Sequence, residues 1–221
     1  MALLVNFATL RHYGRSGMLV LAMIASCEAA AYLAQSGAGL LRHVEALFGQ
    51  AGRARLVMWQ QDETAIARQH GAEPGGLLVA VNALANRVPA ASDAEHWRQG
   101  EYWATPSEFV ASNGGDCEDY AIAKYVALRA AGVPPGQLRL AYVKALTGQR
   151  IENHMVLAYY RTAGAEPLIL DNLDRRVLPA SERPDLVPVF SFNDEDAGRD
   201  GVPMVRRWRD LQQRIARERE L

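Results

Sequence analysis

The apolar residues of this chain change period at one place, Gly132-Val133-Pro134-Pro135. Upstream, three sets recur at the three- and four-residue spacing of buried helix faces: Leu40, Val44, Leu47 and Phe48; Leu77, Leu78, Val81, Leu84 and Ala85; Ala121, Ile122, Tyr125, Val126 and Leu128. Downstream, Leu138 to Leu146 roughly alternates and Asn153 to Tyr160 is apolar and β-prone, while Leu168 to Leu170 and Val187 to Phe192 are short apolar runs. Strands joined by short turns pair antiparallel. Helices that precede strands, rather than alternating with them, predict an α+β fold with helices packed on an antiparallel sheet. Pro188 lacks an N–H and puts its strand at a sheet edge. A last amphipathic helix carries Val205, Trp208, Leu211 and Ile215 on one face, with arginines on a face expected to be solvated.

Residues 1–31 differ from residues 32–221, which are predicted to form one domain ending in that helix. Arg11 and Arg15 precede an apolar run, Met18 to Ala25, and the small residues Ser26, Cys27 and Ala29 to Ala31 follow it. This is the makeup of a secretory signal peptide or N-terminal anchor, and the run is short of the ~20 residues of a spanning helix. An amphipathic or buried N-terminal helix is the alternative. Ile24-Ala25-Ser26-Cys27 also resembles a bacterial lipobox, with Cys27 the lipidated residue. The net charge of -1 gives no basic footprint and excludes nucleic acid as the main partner. Two cysteines exclude a disulfide scaffold and a four-thiolate zinc site. With Cys27 cleaved off or lipidated, Cys117 is the lone thiol in an oxidising compartment, and such a thiol needs a reason to exist.

That reason lies in Gly114-Gly115-Asp116-Cys117-Glu118-Asp119-Tyr120. The glycine pair permits a tight turn, and the thiol then opens the helix over Cys117 to Ala131. Unpaired N–H groups and the positive dipole end favour a thiolate there. A thiolate nucleophile needs a base, and the base an orienting group. Of the five histidines, His12 is in the leader, while His43, His70 and His96 read as surface residues. His154 opens an apolar strand, and Asp171 ends the next. Two neighbouring strands would bring Asp171 to His154, and His154 to Cys117.

Four ordered blocks make the pattern more specific: Tyr102-Trp103-Ala104-Thr105-Pro106-Ser107-Glu108, GDCEDYAIAKY from Gly115, HMVLAYY from His154 and PLILDN from Pro167. With Arg183-Pro184-Asp185-Leu186 and Phe190-Ser191-Phe192-Asn193, they resemble the bacterial transglutaminase-like cysteine proteinases of the LapG type. The resemblance runs from about Trp97 to Asn193, and more weakly back to residue 55. It implies a papain-like, transglutaminase-like α+β fold and a periplasmic endopeptidase. Such an enzyme trims a large repeat-containing adhesin near its N-terminus, between small residues, and so controls biofilm attachment. It also implies an inner-membrane cyclic di-GMP receptor that sequesters the protease. Carried over residue by residue, Cys117 is the nucleophile, His154 the general base and acid, and Asp171 the orienter. The same triad would serve a transglutaminase-type acyl transferase, and the same fold a non-catalytic periplasmic binding module.

Asp116, Glu118 and Asp119 place three carboxylates beside the thiol, and like charge opposes the thiolate. A bound cation would cancel this, and all-oxygen ligands favour a hard ion such as calcium over zinc. The resemblance likewise implies calcium, with Asp116 and Glu118 as ligands and Asp119 as a further candidate. The alternative is a helix cap by Asp116, with Glu118 and Asp119 favouring the dipole. Asn193-Asp194-Glu195-Asp196 is acidic too, but lacks the EF-hand register and reads as a solvated loop.

Overall fold

The computed structural model describes residues 15–70, 74–196 and 202–221, and residues 15–36 by their backbone alone. The expected leader therefore lies outside the described residues up to 14, and the Cys27 side chain lies outside them as well. The helical segments described are α1 (Arg15–His70, broken by a kink at Gly49, φ 68°), α2 (Pro74–Ala85), α3 (Asp93–His96), α4 (Pro106–Ser112), α5 (Cys117–Ala130) and α6 (Pro203–Arg219). The strands are β1 (Leu138–Thr147), β2 (Arg150–Tyr159), β3 (Leu168–Leu170), β4 (Leu178–Pro179) and β5 (Leu186–Phe192). Among the described residues, no helix is long and apolar enough to cross a membrane.

The strands form one sheet in the order β4-β3-β2-β1-β5, every pairing antiparallel. The β1–β2 hairpin is its spine, running in register from Leu138↔Tyr159 to Thr147↔Arg150. Pro188 sits in edge strand β5, where a missing N–H is tolerated, and the β1–β5 register shifts between Tyr142 and Val143.

Helix α5 lies between two apolar clusters. Its Ala121, Ile122, Tyr125 and Leu128 pack on Leu138, Leu140, Met155, Leu157, Leu170 and Phe192 of the sheet. Helix α6 closes this cluster with Val205, Trp208 and Leu211, as the apolar stripe predicts. The other side of α5, through Tyr120 and Ala123, meets Val44, Leu56 and Trp59 of α1 and Phe109, Val110 and Ala111 of α4. The helix carrying the thiol is thus held on opposite faces, and its N-terminus is fixed relative to the sheet.

Helix α4 begins with a capping box: Thr105 accepts from the Glu108 N–H, and Glu108 accepts from the Thr105 N–H (2.8 Å). It ends at Asn113 in the left-handed region (φ 62°), a conformation that asparagine adopts readily. The acidic stretch Asn193–Asp196 departs from the sequence expectation. Asp196 is buried against Arg139 (2.6 Å) and Asp194 accepts from Gln212 (2.6 Å), so these charges anchor β5 and α6 rather than face water.

Candidate active site

Gly115 delivers Cys117 to the start of α5. Its carbonyl accepts from the Ala91 N–H (2.9 Å), joining the nucleophile loop to the segment before α3. The space behind Gly115 is full: a β-carbon there would lie 2.5 Å from Asp119 Oδ2 and 2.7 Å from the Phe109 ring. Behind Gly114 stands the His96 imidazole, so His96 is a half-buried packing residue rather than a surface one.

Cys117 and His154 line one cavity of about 350 Å³, together with Ala90, Ala91, Ala145 and Leu173. His154 is buried on β2, and its Nε2 lies 2.7 Å from Asp171 Oδ1, just past the end of β3. The Asp171 carboxylate also accepts from the N–H groups of Asn172 (2.6 Å) and Leu173 (3.1 Å) and, through Oδ2, from Arg183 Nη2 (2.7 Å). Burial alone would raise the Asp171 carboxyl. The hydrogen bond and charge of His154, then Arg183 and the Leu173 N–H, outweigh it and hold the carboxyl well below the usual range. Asp171 is therefore an anion at neutral pH, accepting on both oxygens. Asn86 Nδ2 adds a bond to the Asp171 carbonyl (2.8 Å), tying this corner to the residue just after α2.

The thiol donates to Glu118 Oε2 (3.1 Å). Burial first, then Glu118 and Asp116, push its pKa up, against a backbone bond from Met155 that lowers it. The helix N-terminus alone does not offset this, and the surrounding carboxylates are the opposing charge that the sequence foretells.

Those carboxylates divide into two groups that share Asp116. Asp116 and Glu118 lie with Cys117, whereas Asp119 and Asp116 lie with Asp93, a residue that the sequence analysis does not single out; within each group the nearest polar atoms are within 4.8 Å of one another. Asp119 takes the Ala104 N–H on Oδ1 (2.8 Å), and Asp93 takes the Tyr102 N–H on Oδ2. Asp93 Oδ1 and Asp116 Oδ1 are buried without a hydrogen-bond partner. Burial and the neighbouring acids push Asp119 up to about 8 and raise Asp116 and Asp93 in the same direction. Crowded, dehydrated carboxylates with unpaired oxygens fit a hard divalent cation. Arg183 and Asp93 are the site residues that sequence reasoning passed over. Arg183 stood in a recognised block without a role, and Asp93 joins Asp119 only through the folded chain.

The family pattern of the bacterial transglutaminase-like cysteine proteinases matches residues 59–185. No curated protein matches the chain. The solved structure of LapG from Legionella pneumophila is 35% identical over 79% of this chain and 97% of that one, with a TM-score of 0.62. Its calcium-bound form is 39% identical over 70% and 84%, with a TM-score of 0.59. The EGTA-treated form is 38% identical over 70% and 80%, with a TM-score of 0.58. With its helices on a five-stranded antiparallel sheet, this chain has the α+β transglutaminase-like fold and belongs to the bacterial transglutaminase-like cysteine proteinase family.

Proposed function

We propose that this protein is a periplasmic, calcium-dependent cysteine endopeptidase with Cys117, His154 and Asp171 as its triad. Its substrate is the N-terminal region of a large repeat-containing adhesin, whose cleavage releases biofilm attachment. An inner-membrane cyclic di-GMP receptor is its sequestering partner. The observation that carries the catalytic reading is the buried His154–Asp171 pair (2.7 Å) opening on the cavity that holds the Cys117 thiol.

The tautomer follows from that bond. A carboxylate only accepts, so the neutral imidazole carries its proton on Nε2 and offers a lone pair at Nδ1. In the reaction the thiol turns from Glu118 and gives its proton to Nδ1. The sulfur attacks the peptide carbonyl carbon, and the Cys117 N–H with a second donor holds the oxyanion. His154 then protonates the leaving amine and the C–N bond breaks, leaving a thioester. Water, deprotonated by His154, releases the new carboxylate and restores the thiol.

Asp93, Asp116 and Asp119 are the residues that would hold calcium, with Glu118 beside them. Bound calcium supplies positive charge against the carboxylates that oppose the thiolate. Its support is the pair of unpartnered buried oxygens, together with the calcium-bound form of the Legionella relative.

The test is Cys117→Ala with an adhesin N-terminal fragment as substrate, products read by mass. The native protein should yield two shorter chains, each end completed by water. The folded variant should yield none. Full proteolysis by the variant overturns the nucleophile, and joined chains would mark acyl transfer instead.

A further inference from the structure

Helix α6 lies outside the stretch 59–185 that carries the family pattern, yet it grips the segment in front of the acidic cluster. Arg214 Nη1 donates to the Trp103 carbonyl (2.7 Å), and Nη2 donates to Tyr102 Oη and Glu108 Oε2. The guanidinium also lies over the Tyr102 ring, 4.8 Å from its centroid. One turn on, Glu218 accepts from Thr105 Oγ1 (2.6 Å) and Ser107 Oγ (2.5 Å). The apolar face of α6 is legible in the sequence, but these two side chains are not part of a solvated face.

The other edge of the same segment faces the carboxylates. The N–H of Tyr102 goes to Asp93 and that of Ala104 to Asp119, while the intervening Trp103 sends its carbonyl to Arg214. Bonds that switch edge at each residue are the pattern of an extended chain. Trp103 is further pinned by stacking on Phe192, with centroids 6.1 Å apart. One short stretch of backbone is thus bolted to α6 on one side and spaces two carboxylates on the other.

We propose that Arg214 and Glu218 are positioning residues that set the cation affinity of the Asp93–Asp116–Asp119 cluster, acting through Tyr102–Ala104. The proposal rests on the calcium reading above and adds to it the control of affinity from the C-terminal helix. Neither side chain hydrogen-bonds to the cluster, so the effect is on the spacing of its oxygens. Outer supports of a metal site govern affinity through geometry in just this way, and their loss weakens binding by roughly tenfold or more.

The experiment titrates calcium alone into the chelator-stripped full chain by calorimetry, for the native protein and for Arg214→Ala, Arg214→Lys, Glu218→Gln and Arg206→Ala. Arg206 is exposed on α6 and serves as the control. Calcium Kd should rise roughly tenfold or more in Arg214→Ala. It should rise less in Arg214→Lys and Glu218→Gln and stay unchanged in Arg206→Ala. Cleavage should recover at saturating calcium, a separation that general destabilisation does not produce. Melting in EGTA and circular dichroism report folding separately. If Arg214→Ala does not fold, Arg214→Lys and Glu218→Gln decide by the same criterion. Folded variants with native Kd overturn the proposal while leaving the calcium reading intact. A flat titration of the native protein overturns both.

Discussion

Arg183 has a side chain only 3% exposed, and its guanidinium meets Asp171 (2.7 Å) and Asp185 (2.8 Å). Burial works against its charge, and the two acids more than compensate. Removing one member of such a pair leaves an uncompensated buried charge, here on Asp171 beside His154. Arg183→Met is therefore expected to lower unfolding free energy by about 3–5 kcal/mol, measured by urea denaturation at neutral pH. A loss within error of zero would mean that Asp171 needs no second cation. The sequence held this residue in view without its purpose. Arg183 is twelve positions from Asp171, and only the fold of the segment through β4 brings it back. Cys117, His154 and Asp171 could be singled out because Cys117 opens α5, His154 opens the buried half of β2 and Asp171 follows the apolar run of β3. Asp93 was not, because its partners Asp116 and Asp119 come to it across the Ala90–Gly115 bridge rather than along the chain.

At the level of elements, α6 shows how much an apolar stripe predicts and where it stops. Val205, Trp208 and Leu211 are buried as their spacing demands. Trp208 is 1% exposed, with ring centroids 5.1 Å from Tyr125 and 6.3 Å from Phe192. Trp208→Ala should cost about 3–5 kcal/mol through lost burial and the cavity left behind, seen as a lowered melting midpoint. An unchanged midpoint would show α6 to be a dispensable appendage. Helix α5 and the β1–β2 hairpin were equally plain, since each sustains its period over several turns or pairs. Strand β4, two residues long, has no period to detect. Helix α4 carried a different cue, its Thr105-Pro106-Ser107-Glu108 capping signature, which periodicity alone passes by.

For the whole molecule, the acidic cluster makes stability depend on pH in a direction that calcium should alter. With no cation, Asp119 titrates near 8 and Asp116 is raised likewise, against about 3.9 in an unfolded chain. Between about pH 4 and 8 the folded state then binds more protons than the unfolded one, so stability falls as pH rises through that window. In EGTA the melting midpoint should therefore climb on acidification from pH 8 toward 5. Bound calcium would hold the same carboxylates ionised, so its stabilising increment should be largest near pH 8 and shrink in acid. Cleavage should likewise vanish in EGTA. Parallel melting curves with and without calcium across pH 5–9 would overturn the assignment of these carboxylates to the cation.

The crowding behind Gly115 reaches beyond the present chain. A β-carbon at 115 meets the Asp119 carboxylate and the Phe109 ring at once, so drift at that position is closed on the inner bank. Diversity among descendants that still cut peptides must enter elsewhere. The open places are on the cavity wall at Ala90, Ala91 and Leu173, where a new side chain would alter which sequence is severed without disturbing the sulfur that severs it.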